Sequence, residues 1–499
     1  MARGKTYDEK RSFDATPEPE GTTAGDVDPG RARPGKTFVI HQHHARRLHF
    51  DLRLEMMNGR TPVLVSWAVP KNLPIKTGKP HLAVHVEDHP FDYGSFSGTI
   101  PAGNYGAGEV RIFDRGTYEV LEQEPGKLSF RLNGDRMQGV WHLFKTSGPD
   151  EKDWMVRLRA LERPDPDPLP QLEPMQATLV KDPFDDDRWI FEPKWDGVRT
   201  LAVCSFDETL LLSRRGNETT AIYPEFAKLH ERLVCLDAIV DGEIVAMSGG
   251  RPSFERLQSR INLGNEREIA RAMKAIPVTF IAFDVLYMDG SSLLSRPVEE
   301  RKEILDELVV TSENVQVSPY VRGTGRALYD AACEQHLEGV VAKKLGGPYR
   351  PGRRGREWLK IKTVHDAELV IGGWSRGEGS RSSSFGALLV GSYDDDGLRY
   401  VGSVGTGFSE KTIEGLLPRL RDLEDTTCPF TIDPRKVGSG PFGKVVRDPH
   451  WVRPELVAKV EFRELTATGR LRAPSFKGLD NEKAPEDCLF SELVLLANG

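Results

Sequence analysis

The stretch Phe191-Glu-Pro-Lys-Trp-Asp-Gly-Val-Arg199 carries the most specific chemistry in the chain. Trp189, Ile190 and Phe191 favour a strand, and Asp196-Gly197 signals a tight turn, so Lys194 is expected at a strand end. Gly197 is expected to let a ligand approach the backbone closely. Protonated lysine is a poor nucleophile; cationic neighbours or desolvation free its amine to attack phosphorus. A lone lysine near a turn is ordinarily a solvated surface residue. Fixing Lys194, Asp196, Gly197 and Arg199 together has a chance frequency on the order of a few per thousand, at ~5% usage of each type.

A second constellation lies upstream in Phe38-Val-Ile-His-Gln-His-His-Ala-Arg-Arg-Leu-His-Phe-Asp-Leu-Arg-Leu-Glu55. Its end alternates strictly, so His49, Asp51, Arg53 and Glu55 share one strand face and Phe50, Leu52 and Leu54 the other. Alternation alone describes a solvated polar face. The added His41, His43 and His44 shift the reading towards a site, since two imidazoles and a carboxylate suit Mn²⁺ or a similar divalent ion. Arg53 beside them suits a phosphate. Leu82-Ala-Val-His-Val-Glu-Asp-His-Pro90 is expected as one strand with His85, Glu87 and His89 on a face. Either Glu87 or His89 can serve as a general acid there, and His85 is equally well a bystander. The Gly-rich run Gly98–Gly108 lacks the Lys-Ser/Thr of a P-loop and is expected to make structural turns.

These residues need elements to hold them. Up to Leu161 short strands alternate with turns, the pattern of a small β-barrel. Arg163-Pro-Asp-Pro-Asp-Pro-Leu-Pro170 excludes helix and central strand and reads as a semi-rigid linker. From Glu173 strands alternate with helices. Phe280–Met288 is a buried strand, and in Trp358-Leu-Lys-Ile-Lys362 alternation puts Lys360 and Lys362 on one side. From about residue 365 short strands and Gly/Asp turns suit an OB-fold.

The bounds are consistent with this. A chain of 499 residues allows roughly three domains. It has no apolar run long enough for a membrane helix and no signal-peptide h-region. The five cysteines form no CxxC pair, which argues for a reducing cytosol and against a zinc ribbon or disulfide framework. Net charge is −7, so nucleic-acid binding must use local basic patches. One such patch is Lys343–Lys362, with eight Lys/Arg and one Glu.

The upstream motifs, together with Ser66-Trp-Ala-Val-Pro-Lys71, Val86-Glu-Asp-His-Pro90 and Tyr105-Gly-Ala-Gly108, resemble the 3′-phosphoesterase domain of bacterial ligase D. The resemblance implies that His43, His49 and Asp51 hold Mn²⁺ and that Arg53, Lys71 and Tyr93 contact the phosphate. It implies that His89 acts on the leaving group with Glu87 beside it, and that Arg11 and Glu18 bring the N-terminal arm over the site. Ser12 stands where the family usually has Asp, and His81 where it often has Arg.

The downstream motifs, KxDGxR at Lys194, Ser213-Arg-Arg-Gly216, Asp241-Gly-Glu243, Phe283-Asp-Val-Leu286, Glu338-Gly-Val-Val341 and Lys360-Ile-Lys362, are similar in type and order to those of covalent nucleotidyltransferases. That implies AMP carried on Lys194, with Glu192 reading the adenine, Phe283 stacking on it, and Arg199 and Glu243 holding the ribose. Arg214 takes a DNA 5′-phosphate, Glu338 binds a divalent metal, Lys360 and Lys362 neutralise the α-phosphate, and Asp196 assists later steps. Arg399–Phe408 and Gly469–Leu479 resemble the ligase D OB domain. There Asp480 replaces an expected Arg while Lys483 is retained, which implies slow self-adenylation.

The expectation is a multidomain α+β protein. It has a mostly flexible arm (1–34), a β-barrel phosphoesterase (35–162), a linker (163–172), an ATP-grasp-like adenylation core (173–364) and an OB-fold (365–499). The implied activity is ATP-dependent sealing of 5′-phosphate/3′-OH breaks with 3′-end healing, in repair by non-homologous end joining. The ligase is expected to use Mg²⁺ or Mn²⁺. Expected partners are double-stranded DNA ends and nicks, a Ku-type end-binding protein and a separate polymerase, since the family's polymerase domain is not recognised in the chain. A monomer of the cytoplasm and nucleoid, away from membranes, is expected. Two other readings stay open: an RNA ligase or capping-type nucleotidyltransferase, and an end-binding repair factor with impaired ligase activity.

Overall fold

The structure, a computed structural model, describes residues 6–21, 27–146, 152–162, 169–248, 251–261, 263–335, 337–363, 366–377, 384–435, 446, 448–462, 464–466 and 468–497. The centre of the expected linker, 163–168, the junction 364–365, and residues 1–5 and 22–26 of the expected arm lie outside them. The chain forms two compact units, 1–168 with 231–237, and 169–230 with 238–499. Among the described residues no helix is long and apolar enough to cross a membrane.

The first unit is a closed barrel. Arg33–His44, Leu48–Asn58, Thr61–Val69 and His81–His85 pair in sequence order, continue through Asp153–Leu161, Gln138–Lys145, Lys127–Gly134 and Gly108–Glu124, and return to Arg33–His44. Closure at eight strands leaves an interior that side chains fill. The polar face of the strand Leu48–Asn58 is largely buried, unlike the solvated face that alternation alone describes. Asp51 and Arg53 are 5% and 3% exposed, and Glu55 instead turns outward to accept from the Lys36 and Thr37 backbone N–H groups. The expected strand through His85, Glu87 and His89 is also interrupted. His81–His85 ends there, the Val86 N–H bonds the Ser66 carbonyl, and only His89–Pro90 resumes pairing. His85 packs on Trp67 and Trp154, away from the polar cluster, while Glu87 and His89 enter it.

In the second unit a five-stranded sheet runs Gln176–Leu179, Arg354–Lys362, Gly339–Lys344, Asp186–Lys194, Val321–Gly323. A second sheet runs Thr209–Ser213, Val198–Cys204, Ala238–Ser248, Val278–Met288. Gly197 joins them, and a Cβ there would lie 2.2 Å from the Ile244 carbonyl oxygen. The glycine of KxDGxR therefore serves close sheet packing, rather than only the ligand approach expected of it. In the C-terminal region Gly397–Val404, Phe385–Asp394, Asp366–Arg376, Pro449–Glu461 and Ser475–Asp480 follow one another, and the bridge Thr406↔Ser475 returns to the first strand. That five-strand closure is the expected OB-type barrel. Ile413, Leu416 and Leu420 of the helix Glu410–Asp422 pack into its core.

Candidate active sites

In the barrel, antiparallel register sets His43 opposite His49 across the first hairpin, with Asp51 two residues further along the same face. One ligand atom from each of His43, His49 and Asp51 lies within 4.8 Å of the others. The outer ring nitrogens are anchored on backbone carbonyls: His43 Nε2 on Gly106 (2.8 Å) and His49 Nδ1 on Arg47 (3.1 Å). The inner nitrogens, His43 Nδ1 and His49 Nε2, face the Asp51 carboxylate at 3.8 and 3.6 Å. Metal-binding histidines are commonly fixed this way, with one N–H held by a carbonyl and the other nitrogen free to ligate. The donor set therefore fits a divalent ion. Burial works against the Asp51 carboxylate, but Arg53 and the two histidines hold it well below the usual range.

Arg53 is locked in place. It donates to Asp51 (3.0 Å), Ser66 Oγ (2.8 Å) and His41 Nδ1 (3.2 Å), and its guanidinium lies over the Tyr93 ring. Burial and Arg53 push His41 down to about 3. His89 donates from Nδ1 to the Glu87 carbonyl (2.9 Å), which leaves the lone pair on Nε2 facing Arg11 at 3.4 Å. Burial, then Arg53 and Arg11, lower His89 well below the ordinary imidazole range. Over its described residues 6–21 the expected arm packs on this cluster. Arg11 pairs with Glu18 (2.8 Å) and Glu87 (3.4 Å), Lys10 pairs with Glu87 (2.7 Å), and Tyr7 is fully buried against His89. Tyr93 forms a wall against His41 and His89. Lys71 lies exposed in the turn after Thr61–Val69, and among the described residues no hydrogen bond or ion pair ties it to the cluster.

In the second unit, Lys194 is the last residue of its strand, as expected. Register places Lys194, Gly339 and Lys362 in one row and Glu192, Val341 and Lys360 in the next. Because side chains repeat every two residues, the two rows share a face. Gly339, at φ +155°, would bring a Cβ to 2.0 Å from the Ile361 carbonyl oxygen, so only glycine lets these strands meet. Glu338 precedes it and pairs with Lys194 at 2.5 Å and Lys362 at 3.7 Å. Burial opposes the Glu338 carboxylate, but Lys194, Lys362 and Lys459 outweigh it and hold it at about 2.

A cleft opens over these rows, lined also by Glu192, Arg199, Arg214, Glu243 and Phe283. Glu192 sits between two buried ammonium groups, Lys302 at 3.1 Å and Lys343 at 3.0 Å. Arg199 is bound bidentately by buried Asp241 (3.0 and 2.6 Å) and lies over Phe283. Glu243, opposite Arg199 in register, is pushed up to about 8 by burial, against the pull of Lys194 and Arg199. Burial pulls Lys360 down to about 7 despite Glu492 and Glu368.

The C-terminal barrel contributes to the same cleft. Lys459 pairs with Asp196 (2.9 Å), and Lys483 pairs with Glu368 (3.2 Å). Asp480 lines the cleft, but its Oδ1 also accepts from the backbone N–H groups of Glu482 and Lys483 (2.8 and 2.9 Å), so it shapes the turn that presents Lys483. Arg214 pairs with Asp487 at 3.8 Å. Sequence reasoning missed Lys459, Glu368 and the Gly106 carbonyl. Any residue carries a carbonyl, and a single Lys or Glu on a strand has no motif to mark it. The pairs become visible only once the chain has folded.

Comparison with known proteins fits this geometry. Residues 41–145 match the DNA ligase D 3′-phosphoesterase domain, 174–362 the ATP dependent DNA ligase domain, and 381–483 the ATP dependent DNA ligase C terminal region. The multifunctional non-homologous end joining protein LigD of Mycolicibacterium smegmatis is 38% identical over 97% of this chain and 61% of its own. The chain carries the ligase D 3′-phosphoesterase domain joined to the domains of an ATP dependent DNA ligase. The ligase D proteins of Mycobacterium tuberculosis H37Rv and Pseudomonas aeruginosa are 39% and 33% identical, each over 96% of this chain and 60% of their own. The chain thus spans about three fifths of the length of these curated ligase D relatives. Its ligase D phosphoesterase match coincides with the barrel holding His43, His49 and Asp51, and its ligase match contains Lys194 and Glu338.

Proposed function

We propose that this chain is a two-activity DNA end-joining enzyme. The barrel converts a 3′-phosphate end to 3′-OH, and the second unit uses ATP to join that end to a 5′-phosphate, in double-strand break repair by non-homologous end joining. The observation that carries the proposal is the convergence of Lys194, Lys360 and Lys362 on one sheet face, with Glu338 paired to Lys194 and Lys362, beneath a cleft that also holds Glu192, Arg199 and Phe283.

Lys194 Nζ, once parted from Glu338 and deprotonated, attacks the α-phosphorus of ATP. A P–N bond forms, the bond to the bridging oxygen breaks, and pyrophosphate leaves. Lys360 and Lys362 neutralise the α-phosphate as charge develops. Arg199, held by Asp241, and Glu243 engage the ribose, and Glu192 and Phe283 the adenine. The AMP then passes to the DNA 5′-phosphate near Arg214, and the 3′-OH displaces it with Asp196 assisting. Glu338 would also hold the divalent ion, Mg²⁺ or Mn²⁺, which supplies charge neutralisation when bound. In the barrel, His43, His49 and Asp51 would hold Mn²⁺, which supplies a Lewis acid. Arg53 binds the phosphate there, and His89 acts at the leaving 3′-oxygen with Glu87, Arg11 and Glu18 around it. The same proposal takes residues 35–162, 173–364 and 365–499 as its working domains. It also takes duplex DNA ends, a Ku-type protein and a separate polymerase as partners in the nucleoid.

Matched nicked DNA and RNA duplexes with 3′-OH and 5′-phosphate termini test the reading. Sealing of DNA with ATP is expected; sealing of RNA alone would favour the RNA-ligase alternative.

Two further outcomes follow from the charges. With its pKa near 7, Lys360 is mostly neutral at pH 8. A triphosphate beside it favours the ammonium form. ATP binding should therefore take up to about one proton at pH 8 and fewer at pH 6, where Lys360 is already charged. Titration calorimetry in buffers of differing ionisation enthalpy reads this, and Lys360→Arg should remove the uptake.

For Asp480, like unit charges at ~4 Å repel by about 4 kcal/mol at an effective dielectric near 20. Lys459 lies close enough to Asp480 to offset part of that. Asp480→Asn keeps an oxygen for the turn and removes the charge. It should speed Lys–AMP formation several-fold and leave sealing of pre-adenylated nicks unchanged. Equal adenylation rates would mean that Asp480 does not act on the triphosphate.

A further inference from the structure

The helix Phe490–Ala497 places one carboxylate at the point where the cleft's phosphate-facing cations meet. Glu492 forms an ion pair with Arg354, approaches Lys360 at 3.9 Å, and approaches Lys483 at 3.4 Å. Its side chain is 14% exposed, so these are shielded contacts. Arg354, Lys360 and Lys483 all line the cleft. Arg354, Lys483 and, once protonated, Lys360 converge on one shielded anion, an arrangement that suits a phosphate group. Glu368 does the same on the neighbouring side, bridging Lys362 (3.0 Å) and Lys483 (3.2 Å).

A cation cannot serve a carboxylate and a phosphate oxygen at full strength in the same place. We propose that Glu492 is an internal stand-in for a phosphate of the nucleotide. It holds the C-terminal cations in place while the cleft is empty, and a triphosphate must displace it. This rests on the adenylating function proposed above. Two consequences separate it from a merely structural ion pair. Removing the charge should destabilise the empty protein, because Arg354 loses its carboxylate partner and Lys483 one of its two. It should also strengthen triphosphate binding, because the competitor has gone. A structural ion pair gives only the first.

The test uses the full chain carrying Lys194→Ala, so that binding is read without turnover, with and without Glu492→Gln. ATP and inorganic tripolyphosphate are titrated by calorimetry, and thermal melts are recorded with and without each. Glu492→Gln should bind both about tenfold more tightly, melt lower when empty, and gain more from added ATP. Glu492→Asp, which keeps the charge on a shorter stem, should fall between the two. Equal or weaker binding of ATP and tripolyphosphate by a folded Glu492→Gln chain would overturn the inference. If neither chain binds ATP, the adenylation reading fails first and this inference with it.

Discussion

Lys194→Ala should abolish transfer of label from α-labelled ATP to the protein, a loss on the order of 10³-fold or more, because no other amine takes the nucleophile's place. The adduct on the wild-type chain should be acid-labile, as a phosphoramidate is. The register argues for Lys194 rather than its neighbours. Lys194 is the strand's last residue, in a row with Gly339 and Lys362 and beside Glu338, whereas Lys360 and Lys362 extend from Arg354–Lys362, two strands across the same sheet. Retention of label by a folded Lys194→Ala chain would assign the nucleophile elsewhere.

The second large effect belongs to the barrel. His49→Ala removes one of three converging donors. Losing a group that merely orients a metal ligand typically costs roughly 10–100-fold, so losing a ligand itself should cost at least ~100-fold in phosphate release from a 3′-phosphorylated primer-template. Lys194→Ala should leave that release intact. Mn²⁺ withdrawal by a chelator should reproduce the His49→Ala loss in the wild-type chain. If Lys194→Ala also stops phosphate release, the two sites are not independent.

Much of the architecture was legible because its signals are local. Strict alternation marked the strand carrying His49, Asp51 and Arg53, and the apolar run Phe280–Met288 marked a buried strand. Alternation could not say which face meets water. Barrel closure covers only one face of a strand; Asp51 and Arg53 proved buried on the other because Tyr93 and the arm residues Tyr7 and Arg11 pack over that cluster, while Glu55 near the strand's end turned out to cap Thr37. Nor could periodicity see that Val86 bonds Ser66 and breaks the expected His85–His89 strand. Motif spacing placed Lys194 at a strand end. It could not place Lys459 against Asp196, 263 residues away, or Glu492 among Arg354, Lys360 and Lys483. Such pairs depend on how the sheets and the C-terminal barrel close over the cleft, which no short window of sequence contains.

The claim that one chain both heals and seals is tested most directly on a duplex whose nick carries a 3′-phosphate and a 5′-phosphate, incubated with ATP and Mn²⁺. The wild-type chain should yield the sealed strand. Neither His49→Ala nor Lys194→Ala should do so alone, and the two variants mixed should restore it. A sealed product from either variant alone, or none from the wild type on a nick that it seals when the 3′ end is already a hydroxyl, would contradict the account.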